Sequence, residues 1–418
     1  MAGVEWKSRR VAPPPSGLID AEESLGELRE LAESAGASVV DTVLQVREAP
    51  EAATLVGSGK VRELAAMAAS TRADLVLFDH DLTPTQQRNL ENELGVKVLD
   101  RTQLILDIFA RRARTREGRM QAELAQLTYM LPRLTGRGAA MSRLGGGIGT
   151  RGPGETKLET DRRRIAVRIK NIERDLEGVR GTRTVHRRQR SAVPLATLAL
   201  VGYTNAGKST LFNRLTAAGV LADARMFATL DPTVRGATLP SRRRVLLSDT
   251  VGFIRRLPTT LVKAFRATLE EVRDANMILH VVDASSPHAS EHASHVLNVL
   301  NEIGAGQIPQ LLVLNKGDRL QADTPARPEI AARVNAPSVL LSALTGAGID
   351  DMLAKIDEIL PFDPVARARF RLPLSEGANL ALLHDQARVL QIQYGEDSVE
   401  VDAEVPESLR LRLAKFVL

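Results

Sequence analysis

The residues that most constrain this chain are 192–215, AVPLATLALVGYTNAGKSTLFNRL, an apolar run followed by a glycine loop and an amphipathic segment. The glycine loop matches the pattern G-x-x-x-x-G-K-[ST] in the strand–loop–helix context that a phosphate-binding loop requires. Gly202 and Gly207 permit a loop whose N–H groups converge on phosphate oxygens. Lys208 brings a positive charge to the β- and γ-phosphates, and Ser209 offers a hydroxyl to Mg²⁺. The run therefore predicts a P-loop domain that binds a nucleotide.

Three later segments indicate which base the nucleotide carries. Asp249-Thr250-Val251-Gly252 follows a strand-like run and matches D-x-x-G, in which Asp249 holds Mg²⁺ through water and the Gly252 N–H meets the γ-phosphate. Asn315-Lys316-Gly317-Asp318 ends the buried strand QLLVLN, and its last carboxylate can accept both N1–H and the 2-amino group of guanine, which adenine does not offer. In Ser342-Ala343-Leu344, after one more strand, the Ala343 N–H could face guanine O6. The ordered motifs predict GTP as the ligand.

This set of motifs resembles the translation-factor-related class of small GTPase domains, which adds one further switch segment. MFATLDPTVR, at residues 226–235, supplies it, and either Thr229 or Thr233 has the spacing to give Mg²⁺ a second hydroxyl. The predicted GTP-binding residues of all five segments are Gly202, Tyr203, Thr204, Asn205, Ala206, Gly207, Lys208, Ser209, Thr210, Phe227, Ala228, Thr229, Leu230, Asp231, Asp249, Thr250, Val251, Gly252, Asn315, Lys316, Gly317, Asp318, Ser342, Ala343 and Leu344.

The charge of the chain is unevenly distributed. The formal net charge is +5, but residues 111–190 alone carry 21 Lys and Arg against 8 Asp and Glu, a local net charge of +13. A basic block in an otherwise acidic protein favours an anionic polymer as partner, because each phosphate that is contacted releases counterions. A solvated, arginine-rich helix surface is the alternative. Because the excess of basic residues persists over the whole block, we favour a nucleic acid as the partner.

Within this block, residues 136–154 contain eight glycines, three arginines and no acidic residue. Residues 147–152 fit the G-x-G-x-x-G spacing of a dinucleotide site, but that fingerprint needs a strand before it and a helix at its last glycine. Here a helix comes first and Pro153-Gly154 follows, so we reject the dinucleotide interpretation. A flexible cationic loop that threads among phosphates explains the composition better, with an unstructured linker as the alternative. The candidate RNA contacts are Arg137, Arg143 and Arg151.

Apolar residues with coiled-coil spacing lie on both sides of the glycine loop. The first set is Met120, Leu124, Leu127, Leu131 and Leu134, and the second is Ile165, Ile169, Ile172, Leu176 and Val179. A 3.5-residue repeat places each set on one stripe of a helix. We therefore expect a helical hairpin whose two stripes pack against each other, with the glycine loop at its tip.

The remaining segments complete a multidomain α/β architecture. Helix-like and strand-like runs alternate over residues 18–103, which predicts a small parallel α/β unit. The segment GSGK at residues 57–60 lacks the first glycine of a phosphate loop, so we interpret it as a turn before a helix. After the P-loop domain, a strand, a helix, two strands and a terminal helix predict a small α+β domain.

The predicted domain boundaries follow from these runs. They are a disordered tail at 1–17, an N-terminal domain at 18–192 (the α/β unit at 18–103 and the helical-hairpin arm at 104–192), the P-loop GTPase domain at 193–361 and the small C-terminal domain at 362–418.

Several segments together resemble one family, the bacterial ribosome-associated GTPase HflX. They are LDIFARRARTREGRMQAELAQL, SRLGGGIGTRGPGETKLETDRRR, GYTNAGKST, FATLDPT and DTVGFIRRLP, and the resemblance covers most of residues 20–360. It favours Thr229 over Thr233 as the Mg²⁺ ligand. The sequence departs from the usual pattern at Gly317, where an aliphatic residue is commoner, and at Leu344, where many GTPases have lysine.

This resemblance implies a function on the ribosome. Members of the family bind the large (50S) subunit, are stimulated by it, and can split stalled or idle 70S ribosomes, and the glycine loop enters the peptidyl transferase region of 23S rRNA. The alternative is a GTP-switched rRNA-binding assembly or regulatory factor in which hydrolysis is only a release timer.

The expected catalytic residues are Lys208, Thr229 and Gly252. In many small GTPases a glutamine just after D-x-x-G orients the attacking water. Here that position is Phe253, which has no polar group, so we expect slow intrinsic hydrolysis that the ribosome stimulates. Asn205 matches the position where some related GTPases bind K⁺, which makes K⁺ a candidate cofactor beside Mg²⁺; a structural role that braces the switch is the alternative.

Other features restrict the function further. His288, His292 and His295 have helical spacing that could suit a metal, but we expect them on a solvent-exposed helix face after a start formed by Asp283 and Ser285. The chain has no cysteine, which excludes disulfides and thiolate chemistry. No apolar run reaches the length of a membrane span. We expect a cytoplasmic monomer without membrane insertion.

Overall fold

The computed structural model describes residues 1–6, 21–134, 153–191, 195–216, 226–227, 229–230, 233–255, 271–320, 328–395 and 397–418. The chain forms two compact units. The first comprises Met1–Gly181, Asp223–Leu230 and Arg256–Arg266, and the second comprises Thr182–Ala222, Asp231–Arg255 and Ala267–Leu418.

The first unit contains a four-stranded parallel sheet. Its strands are β1 (Ala2–Trp6), β2 (Val43–Arg47), β3 (Leu75–Phe78) and β4 (Lys97–Asp100), in the order β2-β1-β3-β4. The helices are α1 (Ala21–Ser34), α2 (Ser58–Thr71), α3 (Pro84–Leu94) and α4 (Arg101–Arg112). Val4, Phe78 and Val98 of the strands pack with Leu64 and Leu90 of the helices. The predicted parallel α/β unit is confirmed. Residues 57–60, interpreted as a turn before a helix, are instead the start of α2 itself, with Gly57 directly before its first residue.

The predicted disordered tail is wrong for residues 2–6, which form an inner strand of this sheet. β1 pairs in parallel with β2 from Ala2↔Val43 to Trp6↔Arg47, and its first residue also pairs with Phe78 of β3. Ala2 and Val4 are only 2% and 4% exposed. A run of five residues is too short to show the alternation of apolar and polar residues that predicts a strand. The strand is stabilised instead by hydrogen bonds to neighbouring strands and by burial. The rest of the tail lies outside the described residues.

The two helices that flank the glycine loop pack as predicted. α5 (Arg116–Met130) and α6 (Pro153–Ser191) are the arms of the hairpin. Leu124 and Leu127 pack with Met120 of α5 and with residues of α6, namely Ile172, Leu176 and Val179, which confirms the predicted packing for these six residues of the two stripes. The Arg168 guanidinium also donates to both carboxylate oxygens of Glu123, at 2.7 and 2.8 Å.

The end of α5 is fixed to the sheet through buried Asp100. Leu131 and Leu134, predicted to continue the helix, lie instead in a 3-10 turn, because the proline between them has no N–H for the helix. The Asp100 carboxylate accepts from Tyr129 Oη and from the Leu82 N–H, the latter at 3.0 Å. Burial raises the pKa of Asp100 although these bonds oppose the rise. The segment that leads into the glycine loop therefore starts from a rigid point.

The second unit contains a six-stranded sheet in the order β10-β9-β8-β5-β7-β6. The strands are β5 (Ala196–Gly202), β6 (Thr233–Thr238), β7 (Arg244–Asp249), β8 (Met277–Asp283), β9 (Gln310–Asn315) and β10 (Ser338–Leu340). Within this sheet, the described pairs are parallel except for β6 with β7, which is antiparallel. The helices are α7 (Lys208–Thr216), α8 (Ala289–Glu302), α9 (Pro328–Val334) and α10 (Ile349–Ile359).

Both faces of this sheet are covered by helices, as expected for parallel strands. On one face, Leu200, Val281 and Val313 pack with Phe212 of α7 and Ile356 of α10. On the other face, Val282, Leu312 and Leu314 pack with Ala293 of α8 and Ile330 of α9. The carboxyl ends of the parallel strands therefore share one edge, where α/β proteins place ligands.

The same unit ends in a three-stranded antiparallel sheet with two helices. The elements are β11 (Val365–Pro373), α11 (Gly377–Gln386), β12 (Arg388–Tyr394), β13 (Ser398–Pro406) and α12 (Glu407–Arg412), with strand order β11-β13-β12. The predicted order of elements is confirmed. No helix in the described part of the chain is long and apolar enough to cross a membrane.

Arg243, which precedes β7, links the six-stranded sheet to this α+β region. Its side chain is 4% exposed. Its guanidinium donates to Asp357 Oδ1 of α10 at 2.8 Å and to the carbonyl oxygens of Phe362 and Asp363 at 3.0 and 3.1 Å. Asp363 in turn accepts from the N–H and hydroxyl of Ser408 in α12, at 2.7 and 2.6 Å. A buried cation thus holds the linker between the two parts.

Replacing this cation tests its contribution to stability. We expect Arg243→Met to lower the free energy of unfolding by about 3 kcal/mol, because it leaves the partly buried Asp357 carboxylate without its cation. Denaturant unfolding measures the change, and limited proteolysis near residue 363 should become faster. Arg242→Met, at the exposed neighbouring position, is the control and should change the stability little. Equal midpoints for the two variants would contradict the role of Arg243.

Candidate nucleotide-binding site

The phosphate loop follows β5 at the carboxyl edge of the six-stranded sheet and ends where α7 begins at Lys208. Two positions of this loop require glycine because other atoms approach the backbone there too closely for a side chain. A Cβ on Gly202 would lie 2.1 Å from the carbonyl oxygen of Val281, and one on Gly207, whose φ is +93°, would lie 2.2 Å from Asn315 Nδ2. Only glycine fits at such contacts, so both motif glycines have a structural reason.

Lys208 is buried inside the loop. Its Nζ donates to the carbonyl oxygens of Gly202 and Tyr203, at 3.0 and 2.8 Å. Burial lowers the pKa of Lys208 to about 8, and the nearby Asp249 carboxylate opposes that shift. A Cβ on Gly252 would lie 3.0 Å from Nζ, so the glycine of D-x-x-G lies against this ammonium group. The structure thus brings two of the three predicted catalytic residues together.

Ser209 and Asp249, two of the predicted metal ligands, are in contact. The Ser209 hydroxyl donates to Asp249 Oδ2 at 2.8 Å, and Asp249 is fully buried at the end of β7. The next residue, Thr250, donates its hydroxyl to the Leu200 carbonyl at 2.6 Å and fixes this segment to β5. A hydroxyl beside a carboxylate, at the start of the helix that follows a phosphate loop, fits Mg²⁺, which prefers oxygen ligands.

Asn315 connects the three loops on the base side of the site. Its Nδ2 donates to the Ala206 carbonyl at 2.8 Å, and its Oδ1 accepts from the Ala343 N–H at 2.9 Å. Sequence reasoning placed Asn315 in the site but gave it no such role. The Ala343 N–H, expected to face guanine O6, is donated here to Asn315.

The neighbouring residues of these loops are also fixed by contacts. Lys316 has a φ of +63°, and its Nζ lies 2.7 Å from Asp283 Oδ2. Although burial alone would raise it, the pKa of Asp283 is lowered by hydrogen bonds from Lys316 and Ser285. The Gly317 N–H donates to the Leu341 carbonyl at 3.0 Å, and the Ser342 hydroxyl accepts from the Thr345 N–H at 3.1 Å. The side chains of Asp318 and Leu344 are exposed.

The first switch segment belongs to the first unit as far as Leu230, whereas the phosphate loop belongs to the second. Thr229 and Leu230 are 8% and 6% exposed. Phe227 has a φ of +58°, and its ring makes an edge contact with Phe109, with centroids 4.5 Å apart. Thr233 is the first residue of β6, opposite Asp249. Among the predicted site residues, Ala228, Asp231, Arg137, Arg143 and Arg151 lie outside the described residues.

The second switch segment consists of the D-x-x-G residues and those that follow them, here residues 249–255. It lies directly against the phosphate loop. The Phe253 N–H donates to the Gly202 carbonyl at 3.1 Å, and the Phe253 carbonyl accepts from the Thr204 N–H at 2.7 Å. The Phe253 side chain is 4% exposed. The position where many GTPases have a water-orienting glutamine therefore holds a buried apolar ring.

The histidine face of α8 is not solvent-exposed, which corrects the expectation from sequence. His288, His292 and His295 are half-buried, and the ring of His292 stacks on Tyr203 of the phosphate loop, with centroids 4.0 Å apart. α8 starts at Ala289, not at Asp283 or Ser285, which form a turn of their own. The i, i+4 spacing was visible in the sequence, but a long-range aromatic partner was not. The described residues contain no cluster of three or more acidic, histidine or cysteine side chains suited to a metal.

His280 of β8 is a further residue that sequence reasoning missed. It is fully buried, and neither ring nitrogen has a hydrogen-bond partner among the described residues. Burial and the charge of Lys208 lower the pKa of His280 to about 4. The imidazole is therefore neutral at pH 7, and it adds no charge near the lysine. An isolated histidine within an apolar strand gave no sequence signal for this position.

Three family models match the chain over consecutive ranges. They are a GTP-binding GTPase N-terminal region at residues 22–110, a GTP-binding GTPase middle region at 112–190 and a 50S ribosome-binding GTPase at 197–316. The GTPase HflX of Caldanaerobacter subterraneus subsp. tengcongensis is 46% identical over 397 residues, which cover 95% of this chain and 91% of that relative. The GTPase HflX of Escherichia coli is 45% identical over 383 residues, covering 92% and 89%.

A solved structure also resembles the chain. It is a GTP-binding protein from the archaeon Sulfolobus solfataricus in complex with GDP, with 24% identity, a TM-score of 0.46, and coverage of 85% of this chain and 97% of that one.

The phosphate loop, the D-x-x-G segment and the N-K-x-D loop, arranged along one edge of a mostly parallel sheet, define a P-loop GTPase. The chain belongs to the HflX family of GTPases. GTP hydrolysis is therefore its activity, and the resemblance found in the sequence is confirmed.

The buried lysine predicts how GTP binding depends on pH. Phosphate oxygens beside Nζ favour the ammonium form, so binding takes up a proton whenever the free protein has lost it. We expect the affinity for GTP to fall by about fivefold between pH 8 and pH 9 and to vary little below pH 7.5. Titration with a fluorescent GTP analogue measures this affinity at each pH, within the range where guanine keeps its N1 proton. Lys208→Arg should bind more weakly but without this dependence, since arginine stays charged; the same pH slope in that variant would contradict the assignment.

Proposed function

We propose that this GTPase binds the large (50S) ribosomal subunit through its basic helical arm and, in its GTP form, dissociates stalled or idle 70S ribosomes. The observation that carries the proposal is the arm. α5 and α6 present exposed cations, and the glycine-rich segment with no acidic residue lies between them in the chain. The exposed cations include Arg116, Arg119, Arg162, Arg163 and Lys170. The family description of residues 197–316 as a 50S ribosome-binding GTPase supports the same partner.

The partner on the 50S subunit is proposed to be 23S rRNA. Lys and Arg side chains on a rigid hairpin suit phosphate contacts, because they gain from counterion release. Arg137, Arg143 and Arg151 would extend those contacts from the glycine-rich segment, where the absence of acidic side chains avoids repulsion. The packing of α5 on α6 and the anchoring of α5 through Asp100 support a stiff arm.

In the proposed mechanism, the nucleotide phosphates bind the N–H groups of the 202–209 loop and the Lys208 ammonium. The Asp318 carboxylate would hold the guanine, and Asn315, which accepts from the Ala343 N–H and donates to the Ala206 carbonyl, would position the loops around the base. Ser209 would ligate Mg²⁺ directly and Asp249 through water, with Thr229 as a further ligand. The ion would neutralise charge that develops on the phosphate oxygens. The Gly252 N–H would hold the γ-phosphate, and its loss on hydrolysis would release the second switch.

The buried phenyl ring of Phe253 supports slow intrinsic chemistry. Without a polar side chain at this position, the attacking water must be oriented by backbone groups and by the partner. Catalysis then acts as a timer that follows binding. This also favours the alternative, an rRNA-binding assembly or regulatory factor in which hydrolysis only releases the protein.

The first test is GTP hydrolysis with and without purified 50S subunits. We expect strong stimulation, and we expect it to be lost when residues 137–152 are replaced by a glycine-serine linker. A variant with Arg137, Arg143 and Arg151 changed to glutamine should lose most of it. The charge-matched control changes Arg242, Arg244 and Arg412, which are exposed in the second unit, and should keep the stimulation.

The outcomes separate the functions. No stimulation by 50S in the unaltered protein would overturn the ribosome proposal, and stimulation that survives loss of the loop would move the contact elsewhere. Splitting of 70S ribosomes, followed by light scattering with GTP and with a non-hydrolysable analogue, decides the finer step. Splitting with the analogue would show that binding does the mechanical work, whereas no splitting in either case would leave the assembly or regulatory role.

K⁺ as a second cofactor is proposed from the position of Asn205. This residue is exposed in the phosphate loop with a φ of +60°. We expect faster hydrolysis in KCl than in NaCl at equal ionic strength, and a loss of that difference in Asn205→Ala. Equal rates in the two salts would remove K⁺ from the mechanism and leave Asn205 a structural role in the loop.

A further inference from the structure

Tyr203, the second residue of the phosphate loop, makes side-chain contacts to two other elements. Its ring stacks on His292 of α8 at a centroid distance of 4.0 Å and an interplanar angle of 10°. His295, one turn further along the helix, meets the edge of the same ring at 6.1 Å and 84°. Tyr203 is 7% exposed, so the ring is held between its neighbours.

The hydroxyl of Tyr203 reaches the second switch. It accepts a hydrogen bond from the Arg255 N–H at 3.1 Å. The same segment is joined to the loop by the two backbone bonds between Phe253 and residues Gly202 and Thr204, at 3.1 and 2.7 Å. Of these three hydrogen bonds, the Tyr203 bond is the one that a side-chain substitution can remove while leaving the backbone pairing unchanged.

The electrostatics of the contact explain why a histidine can hold the ring. Lys208 and Arg255 are cations near the loop, while Asp283 and Glu291 are the acidic groups near His292. Burial, with the nearby His288 and Arg255, lowers the pKa of His292 to about 4. The imidazole is therefore neutral at pH 7 and stacks on the tyrosine without adding a charge. Flat aromatic pairs of this kind restrict ring motion and add to stability.

The hydrogen bond between the Arg255 N–H and the Tyr203 hydroxyl lies close in the chain to a residue expected to act in hydrolysis. Arg255 is three residues after Gly252, which lies against the Lys208 ammonium group. The side chain after Gly252 is an apolar phenyl ring, so the geometry of the backbone has a larger share in placing groups around the γ-phosphate. Orientation of this kind affects the rate of reaction more than ground-state binding, because small displacements are costly in the transition state.

We propose that Tyr203 is a positioning residue for GTP hydrolysis: its hydroxyl holds the Arg255 N–H and thereby keeps Gly252 beside Lys208, and His292 holds the tyrosine ring in place. α8 is thus coupled to the second switch through one aromatic stack. The inference concerns the intrinsic reaction and stands independently of the ribosomal partner.

The test uses the full-length protein without ribosomes. Tyr203→Phe keeps the stack and removes only the hydroxyl, and we expect kcat to fall by about fivefold, the factor that one net hydrogen bond supplies, with KM within about twofold. His292→Ala should lower kcat similarly, while His292→Phe, which restores an aromatic stack, should keep it. Asn298→Ala, on the exposed face of the same helix, is the matched control.

A second readout distinguishes positioning from a general loss of structure. Hydrogen–deuterium exchange of peptides covering residues 251–255 should be faster in Tyr203→Phe and His292→Ala, and unchanged in His292→Phe and Asn298→Ala. An unchanged kcat with unchanged exchange in Tyr203→Phe would overturn the proposal. So would equal kcat values for His292→Ala and His292→Phe, because the stack would then have no role.

Discussion

The GTPase half of the chain depends on one close approach, between the phosphate loop and the strands and loops beside it. Gly202 lies directly against the Val281 carbonyl, and Gly207 lies against the Asn315 amide. A side chain at either position would push the loop away from the sheet edge. The close passage of the backbone places the Lys208 ammonium near the Asp249 carboxylate and lets the Asn315 amide bond the Ala206 carbonyl. The site is therefore a property of strand packing as much as of its polar residues.

Buried polar side chains then hold the loops that the sheet brings together. Asn315 joins the loops after β5, β9 and β10, Arg243 joins the six-stranded sheet to the α+β region, and Asp100 fixes the end of α5 to the parallel sheet. Each of these groups makes several hydrogen bonds, as a buried polar group must if it is not to destabilise the fold.

Much of the fold followed from local patterns. The P-loop run, the alternating elements of residues 18–103 and the two 3.5-residue stripes each specify structure over short distances, so the sheets and the α5–α6 packing were predictable. The strand Ala2–Trp6 was missed because five residues carry little periodicity and the strand is stabilised by partners at residues 43–47. The 3-10 turn at Leu131–Leu134 follows from Pro132, whose effect outweighed the apolar spacing.

The sequence alone determined the class of this protein, because motif residues at fixed spacing identify a GTPase. Its uneven charge predicts a polyanionic partner, and its oxygen-bearing motif residues predict Mg²⁺. The tertiary structure decided which residues support that chemistry. The His292–Tyr203 stack, the neutral buried His280 and the linkage through Arg243 join residues distant in the chain, and local patterns contain no information about such pairs. Burial also decided the ionisation of Lys208, since the same ammonium group has its usual pKa in water and a lowered one inside the loop.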